Sequence, residues 1–589
     1  MQVPLINAGA NNKMVASVFY GLNRTEKGRN GEFLDMENMS SLRYPCLSPR
    51  KPRSVAATQN NIRAVIAPKY KADKTEITEF TGVLADGGVL KFYYNNINKA
   101  FEGNAEIPDT CLVTLCDFNG KIIICAYDEN DDKSYMYYYD YTATETGEVC
   151  NMETGVNKEA DCTAVSKGDP ETDAEVDNYI QKSGTKWSDY FAVGDSIMIS
   201  GFEDDKNNTV SLDSKFQTAD KTRPISCIVT EVDDDKGRLH FQMYNYAHER
   251  LVLTKNNGAV SIGNDGLTVK KPIPTMNHIC VHNNRLWGTN PNGEYIYASK
   301  LGDCMNFMSF QGLANDSYYA EIGTKGGFMG IVSYRDNLVA FKRDYIHHVY
   351  GDKPANFTIP KQLQDCGCID IKSAVEVNSV LYFLGYNGFY AYTGGQPTII
   401  SEPLDMTYVS AAAMTDGIRY IASAKRRDNE EYELLAYDPR YGLWHKEDDF
   451  KAVGSFRWHN DLYMADENQV LRCGGTGGGK VKWSAESVML HESIFDDKGV
   501  NEIWIRARID EDADIDAHIT VSTSVNGGEW TEHSTLKPQG LKVYRVPVRF
   551  KKDEYFQYKL EGKGQAVIHD IEYIAYTGGK PYKITVQGG

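Results

Sequence analysis

The sequence predicts an all-β protein. The expected architecture is a single β-propeller of about six to seven blades, with an inserted small β-barrel and a C-terminal β-sandwich. Three observations lead there. The 589 residues include 38 Tyr, 22 Phe, 7 Trp and 51 Gly against 19 Pro, a balance that favours strands and tight turns over helices. No long stretch carries a helical hydrophobic period. A short unit also recurs, in which an Asn or Asp turn leads into an apolar or aromatic strand. It stands at Asn60 ("NNIRAVIA"), Asn119 ("NGKIIICAY"), Asn283 ("NNRLWGT"), Asp336 ("DNLVAFK"), Asn378 ("NSVLYFLG"), Asp416 ("DGIRYIAS") and Asn460 ("NDLYMAD"). The last five lie 53, 42, 38 and 44 residues apart, each followed by a second short strand. A period of about 40–50 residues built from short strands marks a propeller blade. One four-stranded sheet buries both faces only when neighbours stack against it. A run of β-sandwiches is the rival architecture.

Residues 1–54 read as an extended N-terminal arm. Lys13, Arg24, Lys27, Arg29, Arg43, Arg50, Lys51 and Arg53 outnumber Glu26, Glu32, Asp35 and Glu37. Pro45, Pro49 and Pro52 in "RYPCLSPRKPR" force extended or turn backbone. Such an arm either lies on its own domain or docks on a neighbouring subunit. Arg43, Tyr44, Pro45, Pro49 and Arg50 are the candidate docking residues. Residues 55–174 hold the first blades, with the acidic, Thr/Glu-rich stretch 143–176 as a linker or long loop. "DYFAVGDSIMISGF" and "PISCIVTEVDDDKGRLHFQMYNY" read as strands around turns, placing the inserted barrel at 175–270. Residues 271–475 hold the remaining blades. "GGTGGGK" (474–480) is a flexible break. Residues 483–578, with clean alternation in "HITVSTS", form the sandwich, and 579–589 form a short closing tail.

The formal net charge of −18 argues against a protein that coats nucleic acid, which needs a basic footprint. It fits a wall that nucleic acid slides past, since an acidic surface repels phosphate. The start "MQVPLINAGANNK" lacks a charged segment followed by an apolar core, so no secretory leader is expected. No run approaches eighteen apolar residues, so no membrane span is expected. The twelve cysteines are scattered; Cys125, Cys227 and Cys280 sit in apolar strands, as expected of thiols in a reducing compartment. Cys366 and Cys368 form C-x-C without a second pair, a poor zinc site.

No motif carries chemistry. Gly474, Gly479 and Lys480 match a P-loop skeleton, but Val481 stands where Ser or Thr would hold magnesium. "HESIF" has Phe495 where a zinc hydrolase needs its second His. His347 and His348 are adjacent in a strand and face opposite sides. The acid runs at 128–132, 233–235 and 510–516 lack calcium-loop spacing and read as solvated turns. "SVNGGEW" (Ser524, Asn526, Gly528, Trp530) is one residue short of an Asp-box turn and reads as a hairpin with a packed Trp. No catalytic, cofactor-binding or metal residue is expected, and the chain is expected not to be an enzyme.

Three stretches together carry a family resemblance: "DMENMSSLRYPCLSPR", "NRLWGTNPNGEYIYASKLGDCMNF" and "YFQYKLEGKGQAVIHDIEYIAY". The set resembles bacteriophage tail nozzle, tail-hub and packaged-DNA-stabilisation propeller proteins. Arg285, Trp287, Tyr295, Tyr297, Ser299 and Phe307 carry it most strongly, and it covers roughly 15–475. The resemblance implies a structural virion protein, a homo-oligomer, usually a hexameric ring, assembled in the host cytoplasm. Its partners would be portal, adaptor or neck proteins and tail fibres. The ring would extend the DNA channel and help retain and then eject the genome, which would pass without specific binding. The alternative is a receptor- or glycan-binding tail protein, with Trp504 or Trp530 of the sandwich as stacking platforms; core packing is the plainer role for both.

Overall fold

The recurring turns are the units from which the fold grows. Six of the seven turns close hairpins, and the one at Asn60 links Arg53–Thr58 to Ile62–Ile66 in another sheet. His282 pairs with Arg285 across Asn283-Asn284, Val377 with Val380 across Asn378-Ser379, and Trp458 with Asp461 across His459-Asn460. Asn61, Asn119, Asn283, Asn284, Asn378, Ser379 and His459 have φ between 47° and 64°. That left-handed backbone suits two-residue hairpin turns, and Asn adopts it more readily than most residues.

The computed structural model describes the chain except residues 1–10, 70–79, 143–146, 160, 169–176, 204–208, 213–225, 245–248, 254–257, 261, 263–265, 293, 361–365, 475–480, 492–497, 511–515, 549–553 and 578–589. Among the described residues there are strands and short 3-10 turns but no α-helix. The protein is all-β, as expected. The chain divides into two compact units.

The second unit (68–72 and 81–367) begins with the meander Thr81–Asp86, Val89–Tyr94 and Ile97–Lys99. Leu112–Phe118, Lys121–Asp128, Lys133–Asp140 and Cys150–Asn151 make a four-stranded antiparallel sheet. So do His278–His282, Arg285–Thr289, Tyr295–Ala298 and Tyr318–Glu321; Phe328–Tyr334, Asn337–Lys342 and Ile346–Val349 form a three-stranded one. These sheets stack face on face. Phe118, Ile123 and Cys125 pack with Ile279, Leu286 and Phe307, and Trp287 and Ile296 with Ile331 and Leu338. Stacking buries both faces of small sheets, which explains the apolar run in "KIIICAY".

The inserted module is larger than expected. Its first strand is Thr154–Glu159, inside the stretch read as a linker, and it pairs with the last, Leu267–Lys271. Two sheets share a core around Trp187, Ile199, Phe202, Leu239 and Phe241. The polar, acidic composition hid these strands because their cores come from far along the chain.

The first unit (1–67, 73–80 and 368–589) contains three more small sheets. One is Val375–Val377, Val380–Gly385, Gly388–Tyr392 and Thr398–Ile399; another is Tyr408–Thr415, Tyr420–Arg426, Tyr432–Asp438 and Leu443–Asp448. In the third, Gly454–Trp458, Asp461–Ala465 and Gln469–Cys473 are completed by Arg53–Thr58 from the start of the chain.

The expected C-terminal sandwich is built with N-terminal help. Its first sheet runs Asn11–Ala16, Ala566–Thr577, Lys498–Ile509, Gly540–Pro547. Its second runs Gly21–Leu22, Glu32–Glu37, Lys482–Ser487, Phe556–Lys563, His518–Val525, Thr531–Leu536. Both contribute to one core with Phe33, Met36, Ile503, Ile505, Val521, Tyr558 and Ile571. Residues 11–54 are therefore not a free extended arm: they supply strands to four sheets of their own unit, one of them the pair Met39–Ser40 and Ser48–Pro49. Gly21, at φ 78°, brings its backbone so close to the Trp444 carbonyl that a Cβ would lie 2.2 Å away. The P-loop-like Gly479 and Lys480, Phe495 and the 579–589 tail lie outside the described residues.

Candidate functional site

The five expected docking residues make contacts within the first unit. Pro49 is buried and pairs with Met39. Tyr44 stacks on Tyr441 at 3.9 Å between centroids, and the Pro45 carbonyl accepts from Phe19 N. Arg43 and Pro45 are exposed. Arg50 reaches Asn38 Oδ1 at 2.7 Å and Asp448 at 3.2 Å. Arg50 belongs to a buried ionic knot that spacing did not reveal. Arg53 binds Glu447 at 2.7 Å and Asp448 at 2.6 Å, and Arg419 binds Glu447 at 3.1 Å and Asp416 at 2.9 Å. Burial alone would raise the Glu447 carboxyl, but Arg419, Arg53 and Arg50 outweigh it and hold it below its ordinary value. The knot fastens strand Arg53–Thr58 into its sheet, a structural task.

The blade-motif residues are also structural: Arg285, Trp287, Tyr295 and Tyr297 lie in one sheet, and Phe307 packs on Leu286 and Tyr297 from the coil that follows. Arg285 is buried, and its guanidinium donates to the carbonyls of Ser299 (2.8 Å), Asp316 (2.5 Å) and Ala314 (2.9 Å). Ser299 Oγ accepts from Leu286 N. Trp287, Tyr297 and Phe307 are buried and Tyr295 is half-buried. Arg285 thus shapes the irregular coil after Tyr295–Ala298. Arg285→Ala is expected to cost about 3 kcal/mol or more, since it strands three carbonyl acceptors. Arg285→Lys should recover little, because an ammonium lacks the fork. Urea unfolding of the full chain measures both.

His347 and His348 are both buried in Ile346–Val349. Burial, helped by Lys342 and His348, pushes His347 down to about 4. A histidine depressed in the fold stabilises it above the unfolded value, about 6.5, and that contribution is lost as pH falls through the folded value. Acid titration monitored by circular dichroism should therefore show the second unit losing stability between pH 6.5 and about 4. His347→Phe should flatten that slope.

A concave surface remains, on the outward face of the six-stranded sandwich sheet. Alternation along the strands sends Met36, Ala485, Leu560 and Val521 inward. It leaves Asp35, Glu486, Lys559, Glu561 and Thr520 lining a groove of about 600 Å³. The register sets Glu486 beside Lys559, and Ser484 beside Glu561 and then Thr520. The buried Trp483 forms part of the floor; its ring lies over Gly562, where a Cβ would be 2.1 Å from it. Burial raises the Glu486 carboxyl, Asp35 and Glu561 add to this, and Lys559 opposes it. Lys559 pairs with Glu561 at 3.0 Å.

Trp530 stands beside the groove, with Lys559 Nζ 5.8 Å from its ring centroid. Its hairpin is held by Ser524 Oγ donating to Gly528 O at 2.7 Å and by Tyr555 N donating to Asn526 Oδ1 at 3.1 Å. The packed Trp expected here is 37% exposed. Trp504, on the other sheet, is 42% exposed and donates to Glu502 at 3.0 Å. Neither tryptophan is in the core: Trp504 falls on the solvent side of its sheet, and Trp530 stands in the turn before Thr531–Leu536. Among the described residues no three His, Cys, Asp or Glu side chains are placed to hold a metal ion. No described helix is long and apolar enough to cross a membrane. The twelve cysteines are thiols.

No family model matches the chain, and no curated protein matches it. Solved structures do. One is the exo-beta-1,3-galactanase from Phanerochaete chrysosporium with galactose, 8% identical, covering 81% of this chain and 98% of that one at a TM-score of 0.15. Another is the extracellular domain of a hybrid two component system from B. thetaiotaomicron, 9% identical over 88% of this chain and 78% of that one, TM-score 0.26. A third is Porphyromonas gingivalis dipeptidyl peptidase 4, 8% identical over 73% and 65%, TM-score 0.24. Such scores assign no activity, substrate or site. Glycoside hydrolases stand among the matches. The expectation that the chain is not an enzyme is corrected on its own ground: it rested on the absence of motifs, and a pair of carboxylates leaves none in a sequence.

Proposed function

We propose that this chain is a structural subunit of a bacteriophage tail, of the nozzle or tail-hub type, whose small sheets are the blades of a propeller. The observation that supports it is the sheet Gly454–Cys473, whose outermost strand, Arg53–Thr58, comes from the start of the chain. Propellers join their ends this way, which leaves only short, protected edges. In this reading six copies form a ring that extends the DNA channel, helps hold and release the genome, and anchors neighbouring tail parts. The net charge of −18 agrees with a conduit that does not retain DNA. Immunogold electron microscopy of intact virions, with serum against this chain, tests it. Label on the axis between head and tail tip is the expected result. Label on peripheral fibres alone, or protein found only in lysate, would overturn it.

One observation favours a second reading, in which the C-terminal sandwich binds glycan. Both of the tryptophans that could stack on a sugar, Trp504 and Trp530, present part of their rings to solvent, which core packing would have prevented.

A further inference from the structure

We propose that the outward groove of the six-stranded sheet binds a neutral pyranose chain, with Trp530 as the stacking face. Asp35, Glu486, Thr520, Lys559 and Glu561 would bind the sugar hydroxyls. The inference rests on the second reading above and gives it an address.

Four features carry it. The groove's volume of about 600 Å³ falls within the range of about 300–1,000 Å³ typical of small-molecule sites. Its floor is a rigid sheet, so the polar groups are positioned before a ligand arrives, which reduces the ordering cost of binding. Rows of acceptor and donor, Glu486 with Lys559 and Glu561 with Thr520, run across strands spaced about 4.8 Å apart, the scale of a sugar ring. Trp530 adds an exposed aromatic face fixed by its hairpin; an aromatic ring beside polar hydrogen-bonding groups suits a molecule with apolar faces and a hydroxylated rim.

Charge selects among sugars. Five carboxylates, those of Asp35, Glu37, Glu486, Glu532 and Glu561, line the groove against three lysines. That excess repels uronic or phosphorylated chains. The Glu486 carboxylate accepts, as a sugar hydroxyl donor requires.

The test is affinity electrophoresis of the full chain in native gels containing dextran, laminarin or hydroxyethylcellulose, with alginate as the anionic probe. At least one neutral polymer should retard the chain, and alginate should retard it less. Trp530→Ala should weaken retardation about tenfold, the equivalent of about 1.4 kcal/mol, and Glu486→Gln should weaken it measurably. Both side chains are at least partly solvent-facing, and circular dichroism checks that the fold is kept. Trp504→Ala, on the other sheet, should be retarded as the parent is. Equal retardation of parent and Trp530→Ala, or stronger retardation by alginate, would overturn the groove assignment. Loss with Trp504→Ala alone would overturn it while leaving glycan binding by the sandwich standing. No retardation of the parent by any neutral polymer would overturn both.

Discussion

Replacing Glu447 by alanine is expected to destabilise the first unit by about 3–5 kcal/mol, the usual cost of removing one partner from a buried ionic group. Glu447 is 5% exposed. Its carboxylate accepts from Arg53 at 2.7 Å and Arg419 at 3.1 Å, with Arg50 at 3.9 Å. Without it three guanidiniums face one another, shared only by Asp448 and Asp416. The strand Arg53–Thr58 should then loosen at the end where it completes the sheet, because the Arg53 guanidinium is anchored by this carboxylate and Asp448. Guanidinium unfolding followed by hydrogen exchange at residues 53–58 and 469–473 measures the loss. The double variant Glu447→Ala/Arg53→Ala should cost less than the sum of the two singles, since each removes the other's buried partner. A loss below about 1 kcal/mol, the worth of an exposed pair, would show that the knot is solvated. The pH dependence follows the same sign. Glu447 is held below its ordinary value, so its contribution is intact above the unfolded carboxylate range. It fades only as pH falls through the lower folded value.

The second large effect is expected from deleting residues 1–37. A free docking arm would be removable without harm to the fold. Here the deletion takes Asn11–Ala16 from one sandwich sheet and Glu32–Glu37 from the other. It also uncovers Ala485 and Ile571 and removes the buried Phe19, Leu22, Phe33 and Met36. Each large apolar side chain contributes about 1.5–3 kcal/mol on burial, against a total stability of about 5–15 kcal/mol for a domain. The truncated chain should therefore lose cooperative unfolding of the first unit and expose new strand edges that aggregate. Limited proteolysis and light scattering would show it. A monomeric truncation with an intact sandwich would mean that residues 11–37 only lie on the surface. Phe33→Ala, expected to cost about 3–5 kcal/mol, asks the same question at one side chain.

The sequence by itself determined the local geometry. Asn283-Asn284 and Asn378-Ser379 announce hairpins because the turn they form needs left-handed backbone, which few residue types tolerate. Alternation in "HITVSTS" announced a strand with one buried face, and its residues Ile519 and Val521 are buried. These signals act over a few residues, within reach of pattern reading. Tertiary structure decided what pairs with what. Strand Asn11–Ala16 lies against Ile571–Tyr576, and Arg53 meets Glu447 from 394 residues away. Backbone hydrogen bonds are the same for every partner, so an edge strand carries no address. Charge pairing is as anonymous, which is why Arg50 read as a free docking cation and proved to be half of a buried contact. The groove was hidden for a related reason. Asp35, Glu486 and Glu561 are ordinary polar positions on three strands until the sheet sets them side by side. Trp530 looked like core material because size and apolarity predict burial, while the exposure of a turn residue is set by what the tertiary structure packs against it.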